Sequence, residues 1–263
     1  MFNGKQIFDI EITTRCNKQC YICPRRNFVR QNRDMSLEIF EKICKWLPSQ
    51  CDIFFAGYGE PLLHNNHINF IDKLSKIGIR TSILTNGKLL SYNKICELYN
   101  AGLYKLQISI LLKYEEKEIL KFVGMIDKEY YNKTQFNLLY DETIKKPVSL
   151  VGYLKELGFK VYYKHIHNRA GQLYKNKNEP LYQLTCGTFL NVTYIDTNGY
   201  LQICSNDING EYNLDNIETI TFEEFINKKY KIDKNGIIAE ICKQCDDEYR
   251  ILNMQKEETQ YGQ

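Results

Sequence analysis

The amino-acid sequence predicts an α/β chain: an open, TIM-like partial (β/α)6 barrel followed by a small C-terminal unit made of a β-hairpin plus a helix. Three observations predict it. Strand-like and helix-like segments alternate through the first 170 residues, and such alternation implies a parallel sheet with right-handed crossovers. Six units are too few to close an eight-stranded barrel. Beyond residue 180 the pattern changes to two short apolar runs joined by Asp196-Thr197-Asn198-Gly199, and Asn-Gly between apolar runs is a strong hairpin signal.

The strand candidates are 6–13, 52–58, 80–85, 105–111, 134–139 and 160–166, each short, apolar and bounded by turn signals. Helical patterns occupy 36–47, 66–77, 92–100, 115–126 and 147–157. The first opens on Ser36 as a cap and then repeats Leu37, Phe40, Ile43 and Leu47 at helical spacing. Gly78, Gly102 and Gly158 fall where a left-handed cap follows a helix. The polar stretch 170–180 reads as a linker, which divides the chain into a barrel over 1–175, a second unit over 176–250 and a tail over 251–263. In the second unit 190–195 and 200–203 are strand-like and 221–230 is helical; residues 256–263 are polar and expected to fray.

Composition narrows the function. Hydrophobic residues make up 43% and charged residues 25% of 263, which excludes a disordered tail, a fibrous repeat and a disulfide mini-protein. The net charge of +3 leaves no electrostatic footprint for nucleic acid. No apolar run reaches the ~18 residues that a membrane span needs. The opening stretch MFNGKQIFDIEITTRC lacks the apolar core and cleavage site of a signal peptide, so a cytoplasmic location is expected. The abundance of Ile, Lys, Asn and Tyr reads as the imprint of an AT-rich genome.

Ten cysteines in such a chain are not expected to form disulfides. Cys44, Cys51 and Cys96 stand alone in apolar contexts (EKICKWL, CDIFFAG, KICELY) and read as small buried hydrophobes. Cys16, Cys20 and Cys23 form a C-x3-C-x2-C triplet. Three thiolates at that spacing reach three corners of one iron–sulfur cube and leave the fourth iron open. A structural zinc would need a fourth ligand, and the nearest histidine, His64, lies about forty residues on. Cys186 and Cys204 flank the hairpin, and Cys242 and Cys245 form a C-x2-C pair. Four thiolates suit a 4Fe-4S cluster or a structural zinc equally well on spacing alone.

The triplet just after a first strand, with the aromatic Tyr21 inside it, resembles the radical S-adenosylmethionine (radical SAM) superfamily. The resemblance continues in order along the barrel, through Gly57-Tyr58-Gly59-Glu60-Pro61 after the second strand, Thr85-Asn86-Gly87 after the third and Ser109 on the fourth. It implies that the open iron chelates the amino and carboxylate groups of SAM. Gly57, Tyr58 and Gly59 would then let the backbone approach the methionine moiety. Glu60 or a neighbouring carbonyl would accept from its ammonium, and Asn86 and Ser109 would face its ribose and carboxylate. Tyr21 would contact adenine or pack the cluster loop. Electron transfer into SAM would release a 5′-deoxyadenosyl radical that abstracts hydrogen from substrate.

The pattern Cys186-x12-Gly199-x4-Cys204 followed by Cys242-x2-Cys245 resembles the first half of the SPASM extension of these enzymes. No further cysteine pair follows, which matches the shorter twitch form with one auxiliary 4Fe-4S cluster. Within that group the chain is similar to enzymes of the 2-deoxy-scyllo-inosamine dehydrogenase type. That resemblance implies an oxidoreductase acting on a small polar, sugar-like or alcohol substrate, with the auxiliary cluster as electron acceptor. Flavodoxin or ferredoxin is the expected electron donor, and neither nucleic acid nor membrane is an expected partner.

Arg169, in His167-Asn168-Arg169-Ala170-Gly171 at the carboxyl-end rim, is the candidate to orient substrate or assist its deprotonation, with His165 and His167 beside it. The basic run Arg25, Arg26, Arg30 and Arg33 reads as a solvated loop or as a dock for an acidic flavodoxin or an anionic substrate. Two rival readings remain: a peptide-modifying radical SAM enzyme (an epimerase or crosslinking maturase), and a non-catalytic metal-binding module. Only fifteen residues precede Cys16, so a leader-peptide-binding domain is not expected, and a leader-independent peptide enzyme stays open. A methyltransferase would call for a cobalamin domain, which the sequence does not suggest.

Overall fold

The structure is a computed structural model that describes residues 6–112, 116–141, 143, 146–174, 186–236 and 239–247. The expected linker 170–180, the boundary at 175 and the tail 251–263 lie largely or wholly outside the described residues.

Six β/α steps come first. They are β1 (Gln6–Ile10), α1 (Leu37–Trp46), β2 (Cys51–Phe55), α2 (His67–Lys76), β3 (Arg80–Thr85), α3 (Tyr92–Asn100), β4 (Lys105–Leu111), α4 (Glu116–Val123), β5 (Thr134–Tyr140), α5 (Val148–Glu156) and β6 (Lys160–His165). Then follow α6 (Gly187–Asn191), β7 (Val192–Ile195), β8 (Tyr200–Gln202), β9 (Asn213–Asn216), α7 (Phe222–Lys234) and α8 (Glu240–Lys243). The Ser36 cap acts as read, its side chain accepting from Ile39 N at the start of α1, and the structure adds a capping box of Thr221 and Glu224 on α7.

All strands form one sheet in the order β6-β5-β4-β3-β2-β1-β7-β8-β9. The first six run parallel, each beside its predecessor. The hairpin is not detached from them. β7 lies parallel to β1 in register, Ile7 opposite Val192 and Ile10 opposite Ile195, and β8 and β9 add antiparallel strands beyond it. Three features escaped the sequence reading. The turn of α6 begins where an extended run was expected, β9 is too polar (NLDN) to read as a strand, and α8 is only four residues long.

Alternation along the strands sorts two faces. Phe8, Ile10, Ile53, Phe55, Ile83, Ile108 and Phe136 are fully buried against Phe40, Ile43, Phe70, Ile71, Leu74, Ile95 and Leu98. The Phe40 and Phe70 rings stack within this layer, and Trp46 meets Phe8, Phe222 and Phe225, which seats α7 on the barrel exterior. Each such aromatic contributes about 1.5–3 kcal/mol of burial free energy. Cys51 belongs to this core, and burial pushes the Cys44 thiol up to about 11, as expected of structural cysteines. The opposite, inward face is polar: Asp9 on β1, Gln107 on β4, Gln135 and Asn137 on β5, and Lys164 on β6. No described helix is long and apolar enough to cross a membrane.

Candidate functional site

The chain leaving β1 does not turn at once. Residues 12–14 pair with 33–35 through Met35 N to Ile12 O, Thr14 N to Arg33 O and the Thr13–Asp34 bridge, which closes a neck under the loop that holds the triplet. Asp34 accepts from Thr13 Oγ1 at 2.6 Å and takes the Arg15 guanidinium at 2.9 and 2.5 Å. Inside this closed loop Cys23 N donates to Cys20 O, and Cys16 Sγ accepts from Lys18 N at 3.5 Å. Cys16, Cys20 and Cys23 are all partly accessible. Burial pushes the Cys23 thiol up, and the Arg169 and Arg25 charges oppose it.

Gly57-Tyr58-Gly59-Glu60-Pro61 packs directly on that loop. A Cβ at Gly59 would lie 1.9 Å from Thr13 O, and one at Gly57 (φ 139°) would lie 2.7 Å from Glu11 Cγ. The glycines are therefore demanded by the approach of two chain segments. Glu60 is 2% exposed, and its carboxylate accepts from Thr85 Oγ1 (2.6 Å), Asn86 N (2.8 Å) and Leu62 N (3.2 Å). Three protein donors thus hold the carboxylate, which gives Glu60 a structural role within the loop. Glu60 pins Thr85-Asn86-Gly87 beside the triplet, where Asn86 Nδ2 lies 3.8 Å from Cys16 Sγ. Ser109 lies half-buried on the inward face of β4. Tyr21 is half-exposed and reaches across to Asp141, just past β5, with its hydroxyl at 3.3 Å.

The basic run is divided: Arg26 and Arg33 are exposed, as a solvated loop would have them, while Arg25 and Arg30 are partly buried. Arg25 bonds Thr14 O and Tyr58 O, Arg30 pairs with the buried Glu11 at 2.9 Å, and Arg33 bonds Asn198 Oδ1. The Arg25 and Arg30 guanidinium groups both stack on Phe28. Arginine density in sequence says nothing of such partners, which lie 11 to 165 residues away.

The second cysteine set surrounds one cavity of ≈ 80 Å³ lined by Cys186, Cys204, Cys242, Cys245, Phe189 and Ala170. By the same measure one water needs ~10–15 Å³, so the space suits a group of several atoms. Among the described residues no three His, Cys, Asp or Glu side chains converge as a single metal ion requires. Burial and the other three cysteines push the Cys204 thiol well up, so loading the site must release protons. Cys186 Sγ accepts from Phe189 N at 3.5 Å and Cys204 Sγ from Asn206 N at 3.3 Å.

Two connections join the cysteine sets. Tyr58 donates its hydroxyl to Asn206 Oδ1 at 3.2 Å and its N–H is held by Glu11, so it spans from the segment over the triplet to Cys204's neighbour. The second is the turn after β6, where Arg169 (φ 54°) and Ala170 (φ 53°) are left-handed, a conformation costing about 1–3 kcal/mol each in non-glycine residues. Asn168, fully buried, holds it: Asn168 N donates to Asp246 Oδ1 (2.7 Å) and Nδ2 to Gln244 O (2.6 Å). The guanidinium of Arg169 acts electrostatically on Cys23 and Tyr58, and Ala170 lines the second cavity. Arg169 Nε is buried without a hydrogen-bond partner among the described residues. His167 is held neutral, at about 3, by burial and the Arg169 charge; its Nδ1 accepts from Arg169 N, which leaves the proton on Nε2. Asn168 and Asn206 went unnoticed in the sequence, since a lone asparagine in a loop carries no pattern.

The profile of the Radical SAM superfamily matches residues 10–179. A tungsten-containing aldehyde ferredoxin oxidoreductase cofactor-modifying protein from Pyrococcus furiosus is 29% identical over 152 residues, 57% of this chain and 39% of its own length. A probable GTP 3′,8-cyclase from Methanothermobacter marburgensis is 35% identical over 103 residues, 38% of this chain and 33% of its own. The chain thus spans well under half the length of these curated relatives. Among solved structures, BtrN in complex with AdoMet and 2-DOIA superposes with a TM-score of 0.66 at 20% identity, covering 94% of this chain and 95% of BtrN. Streptococcus suis SuiB bound to its precursor peptide SuiA gives 0.64 at 13% identity, covering 92% and 71%. At these identities the likeness is one of fold.

Proposed function

The chain belongs to the radical SAM superfamily, and from that premise we propose that it is an oxidoreductase of a small polar, alcohol or sugar-like substrate with an auxiliary iron–sulfur site. The superfamily uses a 4Fe-4S cluster and SAM, and Cys16, Cys20 and Cys23 are the residues to hold that cluster. The four-cysteine cavity is the observation that carries the finer reading. Its room for several atoms supports a cluster over a zinc ion.

When bound, the first cluster with SAM supplies a hydrogen-abstracting 5′-deoxyadenosyl radical, and the second supplies an acceptor for the electron a substrate radical gives up. The chain's own residues bind and orient the substrate. The polar inward face, with Asp9, Gln107, Gln135, Asn137 and Lys164, supports a polar substrate. Asn137 donates to Gln107 at 3.1 Å and Gln135 to Asn137 at 2.7 Å, which fixes these amides as a preformed lining. Asn86 and Ser109 sit on the SAM side of the mouth in this reading. Arg169, between the two cysteine sets, orients the substrate oxygen; a guanidinium donates and does not accept. BtrN, of the same fold, is seen with AdoMet and 2-DOIA, which agrees with a small polar substrate.

The likeness to SuiB with its precursor peptide favours a second reading, a peptide-modifying enzyme. The deciding experiment is anaerobic iron, sulfide and zinc content of the wild type and of a Cys16/Cys20/Cys23→Ala variant. About eight irons per chain, falling to about four in the variant, supports two clusters. About four irons with one zinc removes the electron acceptor, and redox-neutral radical chemistry replaces oxidation. Absence of 5′-deoxyadenosine with SAM and dithionite would leave a non-catalytic module.

A further inference from the structure

Lys229 projects from α7 into the wall behind the four-cysteine cavity and is 3% exposed. Its Nζ donates to Val192 O at 3.0 Å, Leu190 O at 3.5 Å and Thr193 Oγ1 at 3.4 Å, and lies over the rings of Phe189 and Phe225 at 5.2 and 5.6 Å. Among the described residues no carboxylate pairs with it. A buried ammonium without a counter-charge is strongly disfavoured, and lysine is almost never fully buried unless paired. Burial accordingly pulls Lys229 down to about 7, and the group that opposes the shift is Cys186. A cap on the last carbonyls around α6 accounts for the hydrogen bonds and not for the charge, since a neutral amide donor would serve there with less desolvation.

The place of the charge suggests its partner. Phe189, whose ring the ammonium faces, lines the cavity itself, three residues after Cys186. Resting on the iron–sulfur reading of the second site, we infer that Lys229 is the built-in counter-cation of a four-thiolate cluster in this cavity and raises its reduction potential. One-electron reduction adds one negative charge to the cavity, and a protonated Lys229 nearby favours that reduced form. Potentials of such clusters are set by net charge and surroundings. A unit charge within about 10 Å, at an effective dielectric near 20, shifts a one-electron equilibrium about tenfold or more, which corresponds to about 59 mV. The cation thereby makes the site a better acceptor for an electron from substrate.

The test is an EPR-monitored redox titration of the anaerobically reconstituted full chain as wild type, Lys229→Met, Lys229→Gln and Lys229→Arg. The signal of the second site is the one that persists in the Cys16/Cys20/Cys23→Ala variant. The Met and Gln variants are expected to titrate at least about 59 mV below wild type, and Arg to stay within that margin. Gln keeps a donor for the carbonyls, so it serves if Met folds poorly. Unchanged potentials in Met and Gln, with about eight irons in every variant, overturn this inference and leave the two-cluster reading intact. Wild type with about four irons and one zinc overturns the reading itself, and the inference with it.

Discussion

Replacing Glu60 with glutamine separates a residue that holds the fold from one that holds SAM. The carboxylate receives two backbone N–H groups, from Asn86 and Leu62, and the Thr85 hydroxyl, in a setting 2% exposed. An amide offers one oxygen and one NH2. If the NH2 takes the Oε2 position it faces Asn86 N–H; in the Oε1 position it faces Leu62 N–H. Either way one buried backbone donor loses its acceptor, at about 1–3 kcal/mol. The remaining bonds also lose their charge assistance, which roughly halves their strength. Against this, burial pushes the Glu60 carboxyl up, so removing its charge returns part of the loss. The net expectation is about 2 kcal/mol of destabilisation, or roughly 4–8 °C in Tm for a chain of this size. The assay is thermal unfolding of the metal-free chain without SAM, paired with SAM binding to the reconstituted enzyme. An unchanged Tm together with SAM binding weakened tenfold or more would refute the structural assignment and support a direct ammonium contact.

Other expectations follow from the same geometry. Asn168→Ala removes the 2.6 Å bond to Gln244 O and releases the segment bearing Cys242 and Cys245; iron at the second site should fall while the triplet keeps its share, as read by iron content with and without the triplet. Phe70→Ala should cost about 3–5 kcal/mol in denaturant unfolding and leave iron per folded chain unchanged. Arg169→Lys should keep 5′-deoxyadenosine formation without substrate and lower substrate oxidation at least tenfold, since a point charge does not reproduce the guanidinium's fixed donors. Lys229 is lowered to about 7 in the fold against an ordinary 10.5. Between those values the unfolded chain binds the extra proton, so stability rises with pH by up to about 1.4 kcal/mol per unit. From pH 7 to 9 the metal-free wild type should gain about 2 kcal/mol relative to Lys229→Met, and parallel stability curves would contradict it.

The barrel and both cysteine sets are legible in the sequence because their signals are local. Ser36 before Leu37, Phe40 and Ile43, or Cys16-x3-Cys20-x2-Cys23, can be recognised within a dozen residues. What is not legible there depends on partners far along the chain. Glu60 reads only as part of a glycine motif until its bonds to Thr85 and Asn86 are seen. Arg30 reads as a surface charge until Glu11 is found beneath it. Asn168 acquires a role only once Asp246 and Gln244, some 76 to 78 residues on, fold against it. The same holds for β7, whose place beside β1 no hairpin signal announces.

That pairing of β1 with β7 has a consequence for how the protein matures in the cell. Ile7 meets Val192, so the strand made first waits for one made about 185 residues later, and at 5–20 residues per second that delay is on the order of ten seconds or more. Until then β1 offers an open edge, the kind of surface that invites mispairing with other chains. Cys16 follows β1, and Cys186 and Cys204 bracket β7, so the two cysteine sets acquire fixed positions relative to each other only when this long-range seam closes. Iron delivery during synthesis would therefore meet thiols without a finished frame. Maturation in which the seam closes first and metal enters afterwards, on the completed chain, is the order that the topology favours.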